Sequence, residues 1–156
     1  MKSMAERHLG LLSRISDIMK KIKILVVEDE NIVAEDIKNT LQGLGYTVVG
    51  ITATGEGAIE KTKEEEPDLI LMDIRLKGDM NGIEAAKKIT SKADIPVVFL
   101  TACSDNGIVE KAKHTKAFGY LVKPFDEKGL DITIKMTLQK RITRILIEIC
   151  CPIIWN

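Results

Sequence analysis

Short runs of apolar and β-branched residues recur along the chain, and each run ends abruptly in polar residues. Runs of this kind are typical of strands in a parallel sheet that is buried on both faces. The pattern predicts strands at residues 23–27, 47–51, 69–72, 97–100 and 120–122.

Between these runs, apolar residues recur every three or four positions, which indicates helices with one buried face. The spacing of Val33, Ile37 and Leu41 predicts a helix over residues 31–44, and Gly45 ends it. Further helices are predicted over residues 55–66, 81–92 and 105–116, with Asn81 or Asp79 as the cap of the middle one. A last helix is predicted after Asp126 as its cap, with an inward face formed by Leu130, Ile134, Leu138 and Ile142.

Strands that alternate with helices predict an α/β fold in which helices cover both faces of a parallel sheet. Five strands in a chain of this length indicate the flavodoxin-like doubly wound (βα)5 fold, with strand order 2-1-3-4-5. In such sheets the functional site lies at the carboxyl ends of the strands, beside the point where the strand order reverses.

Chemically active side chains follow four of the predicted strands. Glu28 and Asp29 follow the first strand, Asp73 follows the third, Thr101 ends the fourth and Lys123 follows the fifth. These four strands are neighbours in the predicted order, so their carboxyl ends meet at one edge of the sheet. We therefore expect the five side chains to converge there.

Three carboxylates held close together repel one another, and a hard divalent cation relieves that cost. Oxygen ligands suit Mg²⁺ better than zinc. A carboxylate can also attack phosphorus, which makes Asp73 a candidate phosphoacceptor. The Lys123 ammonium and the Thr101 hydroxyl are suited to stabilise the charge of a phosphoryl group in transfer.

Four segments together resemble the receiver domain of two-component response regulators, over about residues 21–140. They are Val-Val-Glu-Asp-Glu at 26–30, Leu-Met-Asp-Ile at 71–74, Leu-Thr-Ala at 100–102 and Gly-Tyr-Leu-Val-Lys-Pro-Phe at 119–125. The resemblance implies that Asp73 is the phosphoacceptor. It also implies that Asp29 binds Mg²⁺ directly, that Glu28 assists, and that the backbone carbonyl of Arg75 is a further ligand.

The same resemblance implies a switch. Thr101 would move to bond the phosphoryl group, Lys123 would pair with it, and Tyr120 would turn inward when Thr101 moves. Family members usually have a cis peptide bond at the position of Lys123–Pro124.

Each residue also has a plainer interpretation. Asp29 could cap the following helix, and Asp73 could be a turn residue. Thr101 could merely end a strand, Lys123 could be a surface lysine, and Tyr120 could be a packing aromatic. Only their combination, in order, favours the functional interpretation.

The resemblance implies a stand-alone receiver that takes its phosphoryl group from a sensor histidine kinase and acts on an unknown downstream protein. Too few residues follow Arg144 for an effector domain. We expect the protein to catalyse its own phosphorylation and dephosphorylation and no other reaction. Alternatives are a phosphorelay intermediate or phosphate sink, a phosphorylation-independent pseudo-receiver, and an aspartate-nucleophile phosphatase. Arg75 argues against the phosphatase, because those enzymes usually have a second aspartate at that position.

The composition limits the classes of binding partner that we expect. Lys and Arg total 23, and Asp and Glu also total 23, so no broad basic field predicts direct nucleic-acid or membrane binding. Three cysteines without metal-ligand spacing, and no signal-peptide pattern, favour a reducing, cytoplasmic location.

The two ends of the chain are the least determined parts. Residues 1–20 form an extension that could be a short amphipathic helix or partly disordered, and residues 21–144 form the receiver. Residues 145–156 are an apolar tail. The tail could extend the last helix into a homodimer contact, fold back onto the sheet, or be the stub of a further domain.

Overall fold

The computed structural model contains one five-stranded parallel sheet and describes residues 2–102, 107, 110 and 119–154; for 14–20 and 149–154 it describes the backbone alone. The strand order is β2-β1-β3-β4-β5, which confirms the predicted doubly wound fold. Each predicted strand is found to within two residues at either end. The strands are β1 Lys23–Val27, β2 Thr47–Thr52, β3 Leu69–Asp73, β4 Val97–Ala102 and β5 Gly119–Lys123.

Five helices are described. They are α1 Met4–Lys20, α2 Asn31–Gly43, α3 Gly55–Glu65, α4 Gly82–Thr90 and α5 Glu127–Ile154. Of the helix predicted over residues 105–116, the structure describes only residues 107 and 110, and both are helical. Among the described helices, none is long and apolar enough to cross a bilayer.

Alternation along each strand divides the core into two layers. Neighbouring residues of β1 and β3 contribute to opposite layers, because successive side chains of a strand point to opposite faces. One layer packs under α3 and α4, and the other under α2 and α5. The central strands β1 and β3 are almost completely buried, which explains why their sequences are continuous apolar runs.

Side chains cap the starts of two helices, as the local sequence predicts. Asn81 caps α4 by accepting from the Glu84 amide at 2.9 Å, and the Glu84 carboxylate accepts from the Asn81 amide in return. Asp126 caps α5 by accepting a hydrogen bond from the amide of Gly129 at 2.7 Å. Both caps were predicted, and Asn81 is the one used of the two candidates.

One prediction for the last helix is wrong. Leu130 and Ile134 are buried as expected, and Leu138 is partly buried, but Ile142 is 59 % exposed. The apolar periodicity of the helix continues to Ile142, beyond the part of the helix that packs on the sheet. The apolar tail does not fold back onto the sheet, since α5 continues to Ile154 as one helix. The amino-terminal extension is helical over Met4–Lys20.

Candidate functional site

The carboxyl edge of the sheet brings the predicted acidic residues together. Carboxylate oxygens of Glu28, Asp29 and Asp73 lie within 4.8 Å of one another. Glu28 and Asp29 directly follow β1, and Asp73 is the last residue of the neighbouring β3. Spacing this close follows from the parallel pairing of the two strands.

Lys123 reaches this acidic group from the far edge of the sheet. Its Nζ donates to Glu28 Oε2 at 2.6 Å and to Asp73 Oδ2 at 2.9 Å. Lys123 is the last residue of β5, two strands away from β3. A single ammonium group therefore holds carboxylates from two different strands.

Glu28 is the most enclosed member of the site, with its side chain 0 % exposed. Burial raises its pKa to about 7, and the nearby Asp73 carboxylate acts in the same direction. The hydrogen bonds from Lys123 and from the Glu30 amide at 3.1 Å oppose that rise without cancelling it. The same two carboxylates raise the pKa of Lys123 in spite of its partial burial, so its ammonium stays charged.

Asp73 is reachable from solvent, with its side chain 11 % exposed. Its Oδ1 accepts a hydrogen bond from the Arg75 amide at 3.0 Å, and its Oδ2 faces Lys123. Both carboxylate oxygens are therefore oriented. The Arg75 peptide lies beside the site, and metal binding by its carbonyl remains a prediction.

Gly82 fixes the backbone beneath Asp73. Its amide donates to the carbonyl of Ile74 at 2.9 Å. A Cβ at Gly82 would lie 2.0 Å from the carbonyl oxygen of Asp73 and 3.0 Å from the Cα of Ile74. Both neighbours are backbone, so a side chain at position 82 could fit only if the loop that carries Asp73 moved.

We expect Gly82→Ala to lower the free energy of unfolding by roughly 2 kcal/mol, because the clash outweighs the better helix propensity of alanine. Urea denaturation would measure the change. Gly43→Ala is the matched control, since a Cβ at the end of α2 meets nothing within 4 Å. Equal stability of the two variants would contradict the close approach of Gly82 to Asp73.

The predicted switch residues lie on β4 and β5. Thr101 is buried, and its hydroxyl donates to the carbonyl of Ala102 at 3.0 Å. Tyr120 is half-buried and stacks on Phe99 with ring centroids 5.9 Å apart. The Lys123–Pro124 peptide bond is cis, as the resemblance implies. The switch roles of Thr101 and Tyr120 stay predictions.

The three carboxylates are suited to hold a hard divalent cation. The group consists of oxygen donors from Glu28, Asp29 and Asp73, which is the donor set of Mg²⁺ sites. Asp29 is not used as a helix cap: the N-cap of α2 is Glu30, and no side chain caps that helix. Glu28 and Asp73 each have Lys123 as a partner, so an arriving cation would share them with the ammonium.

A comparison with protein families decides the assignment. The model of the response regulator receiver domain matches residues 24–135. The chain belongs to the receiver-domain family. Asp73 and Lys123 fall within the matched range, as do Glu28 and Asp29.

Curated relatives of this receiver include transcriptional regulatory proteins. PdtaR of Mycobacterium tuberculosis is 36 % identical over 118 residues, which cover 76 % of this chain and 57 % of that protein. MtrA of Mycolicibacterium smegmatis, a DNA-binding response regulator, is 33 % identical over 80 % of this chain and 53 % of its own length. The receiver chain thus spans about half the length of the curated relatives it matches.

Solved structures of response regulator and receiver domains are also similar to this chain. The N-terminal domain of a response regulator/sensory box/GGDEF three-domain protein from Carboxydothermus hydrogenoformans is 42 % identical, with a TM-score of 0.72, over 79 % of this chain and 98 % of that one. The receiver domain of the sensor histidine kinase PA1611 from Pseudomonas aeruginosa has a magnesium ion in its active site cleft. It is 30 % identical, with a TM-score of 0.69, over 76 % of this chain and 98 % of that one.

Two features of this receiver's site were missed from the sequence. The pairing of Lys123 with Glu28 was not predicted, although a glutamate after a wholly apolar strand is a sign that the carboxylate needs a buried counter-ion. The close approach of Gly82 to Asp73 was also missed. Its signal was a glycine directly after a helix cap, where a side chain would normally be tolerated.

Proposed function

We propose that this receiver accepts a phosphoryl group on Asp73 from the phosphohistidine of a sensor histidine kinase, in a reaction that requires Mg²⁺. The supporting observation is the arrangement at the carboxyl edge: Asp73 lies within 4.8 Å of two further carboxylates and 2.9 Å from the Lys123 ammonium. Partners of this kind neutralise the charge of a phosphoryl group in transfer. The magnesium ion described for the PA1611 receiver supports the same metal here.

The chain's own residues supply most of the chemistry. An Asp73 carboxylate oxygen attacks phosphorus, the phosphorus–nitrogen bond of the phosphohistidine breaks, and its electron pair returns to the imidazole, which takes up a proton. Lys123 faces the charge that develops on the phosphoryl oxygens. Glu28, Asp29 and Asp73 would hold Mg²⁺, which supplies further positive charge when bound. The receiver is thus a substrate of its kinase that catalyses its own phosphorylation and dephosphorylation.

Thr101 and Tyr120 would transmit the change. The Thr101 hydroxyl, now bonded to its neighbour's carbonyl, would turn to the phosphoryl group, and Tyr120 would move into the vacated space. The affected surface includes β5 and the first half of α5, where Val122, Ile132 and Met136 are exposed apolar residues. A downstream protein would bind this surface, with the receiver acting in the cytoplasm.

Intact-protein mass spectrometry after incubation with acetyl phosphate tests the proposal. With Mg²⁺ we expect one phosphoryl adduct that base removes, and with excess chelator we expect little or none. Circular dichroism would establish that the protein remains folded in both. A folded protein that never forms an adduct would instead favour the pseudo-receiver interpretation.

A further inference from the structure

Helix α5 extends beyond the sheet that it covers. Arg141 donates to the carbonyl of Asp68 at 3.4 Å, next to the amino end of β3, and Arg144 pairs with Asp94, shortly before β4. These contacts mark where α5 reaches the amino edge of the sheet. The helix then continues to Ile154, about 15 Å further at the usual rise per residue.

The part of α5 that leaves the sheet is apolar on more than one side. Ile142, Ile145, Leu146 and Ile147 are between 37 % and 59 % exposed. At 100° per residue, these four positions cover more than half of the helix circumference. A single neighbouring helix covers only a narrow stripe, so this part of α5 needs neighbours on two sides.

Helix α1 leaves the same edge of the sheet. It ends at Lys20, directly before β1, and the adjoining Ile22 lines a cleft of about 460 Å³ together with Ile142 and Ile145 of α5. Besides Met4 at the start of α1, three leucines of this helix are at least half exposed: Leu9, Leu11 and Leu12. Within one chain, therefore, these three leucines are not buried against α5.

We propose that the distal part of α5 and helix α1 bind the same two helices of a second copy of this chain, forming a four-helix bundle at the amino edge of the sheet. Such a bundle gives each distal α5 neighbours on two sides, as the spread of its apolar residues requires.

The exposed surface is large enough for a dimer. The four α5 side chains and the three α1 leucines together expose on the order of 700 Å² per copy, close to the roughly 800 Å² that each partner contributes to a specific interface. The chain has no net charge that would select an oppositely charged partner. A second copy has an apolar surface of the same size. In a dimer with a two-fold axis, both copies use this same surface to form the interface.

The position of the bundle makes the dimer independent of phosphorylation. Asp73 lies at the carboxyl edge of the sheet, whereas Arg141 and Arg144 mark the opposite, amino edge. The dimer should therefore form with or without Mg²⁺ and acetyl phosphate. This separates it from a dimer that would form through the switched surface of β5.

Light scattering coupled to size-exclusion chromatography of the full chain tests the proposal. We expect twice the 17.3 kDa chain mass for the wild type. The double variants Ile142→Glu/Leu146→Glu and Leu9→Glu/Leu12→Glu should each weaken the dimer by at least roughly a hundredfold, because each buries four charges per dimer. Ile32→Glu is the matched control, since Ile32 is an exposed apolar residue at the start of α2, at the carboxyl edge of the sheet and opposite the edge where the proposed bundle lies.

Several outcomes would overturn the proposal. These are a monomeric wild type, a dimer that forms only after phosphorylation, and a dimer that either double variant leaves unchanged. A monomeric Ile32→Glu variant would do the same. Circular dichroism and the acetyl phosphate reaction would show that the double variants remain folded, because neither pair of residues lies in the sheet or its core.

Discussion

Replacing Asp73 by asparagine is expected to abolish the phosphoryl adduct while leaving the protein folded. The amide has nearly the shape of the carboxylate and can still accept from the Arg75 amide, but it is not a nucleophile toward phosphorus. It also removes the negative charge that helps to raise the pKa of Glu28. Stability should therefore be unchanged or slightly higher, as measured by urea denaturation beside the mass measurement.

Asp36→Asn is the matched control for this substitution. Asp36 is an exposed residue in the middle of α2, and its replacement makes the same change of charge away from the site. The control should be phosphorylated at the wild-type rate. An adduct that persists in Asp73→Asn would place the phosphoacceptor on another residue.

Replacing Lys123 by methionine should separate two properties of the site. Phosphorylation by acetyl phosphate should slow by about 10²–10³-fold, the usual effect of removing one group that stabilises a transition state. Affinity for Mg²⁺ should instead rise, because the ammonium no longer competes for Glu28 and Asp73. Adduct formation over time and calorimetric titration with Mg²⁺ would measure the two effects.

Lys128→Met is the control, since Lys128 is an exposed lysine in the first turn of α5. It should change neither quantity by more than about twofold, because an exposed charge outside the site is screened by water. If Lys123→Met bound Mg²⁺ more weakly than the wild type, Lys123 would be organising the carboxylates for the metal rather than competing with it.

The sheet could be predicted from the sequence because each strand is an uninterrupted apolar run with polar residues at its end. Such runs are unambiguous in β1 and β3, where both faces are buried. Strand order then placed Asp73 between the Glu28–Asp29 pair and Lys123, and the structure brings these four residues together. The roles of Thr101, Tyr120 and the Arg75 carbonyl stay predictions.

The ends of the chain could not be predicted in the same way. Ile142 has the same spacing as the buried residues of α5, but it is exposed. The spacing of apolar residues in a helix does not show where the sheet beneath the helix ends. The contact of Arg141 with the Asp68 carbonyl fixes that point, and it joins residues far apart in sequence. The same is true of Lys123 and Glu28, whose pairing depends on the side-chain path across β3 and β4.

The two ion pairs of Lys123, with Glu28 and with Asp73, also affect when metal binding can occur relative to folding. Structural zinc sites supply folding energy, so their chains unfold when the metal is withdrawn. Here the buried Glu28 and its neighbour Asp73 already have a counter-ion from the chain itself. Folding can thus be completed before any ion arrives, and under the proposed function a lack of magnesium would leave the receiver folded but unable to accept a phosphoryl group.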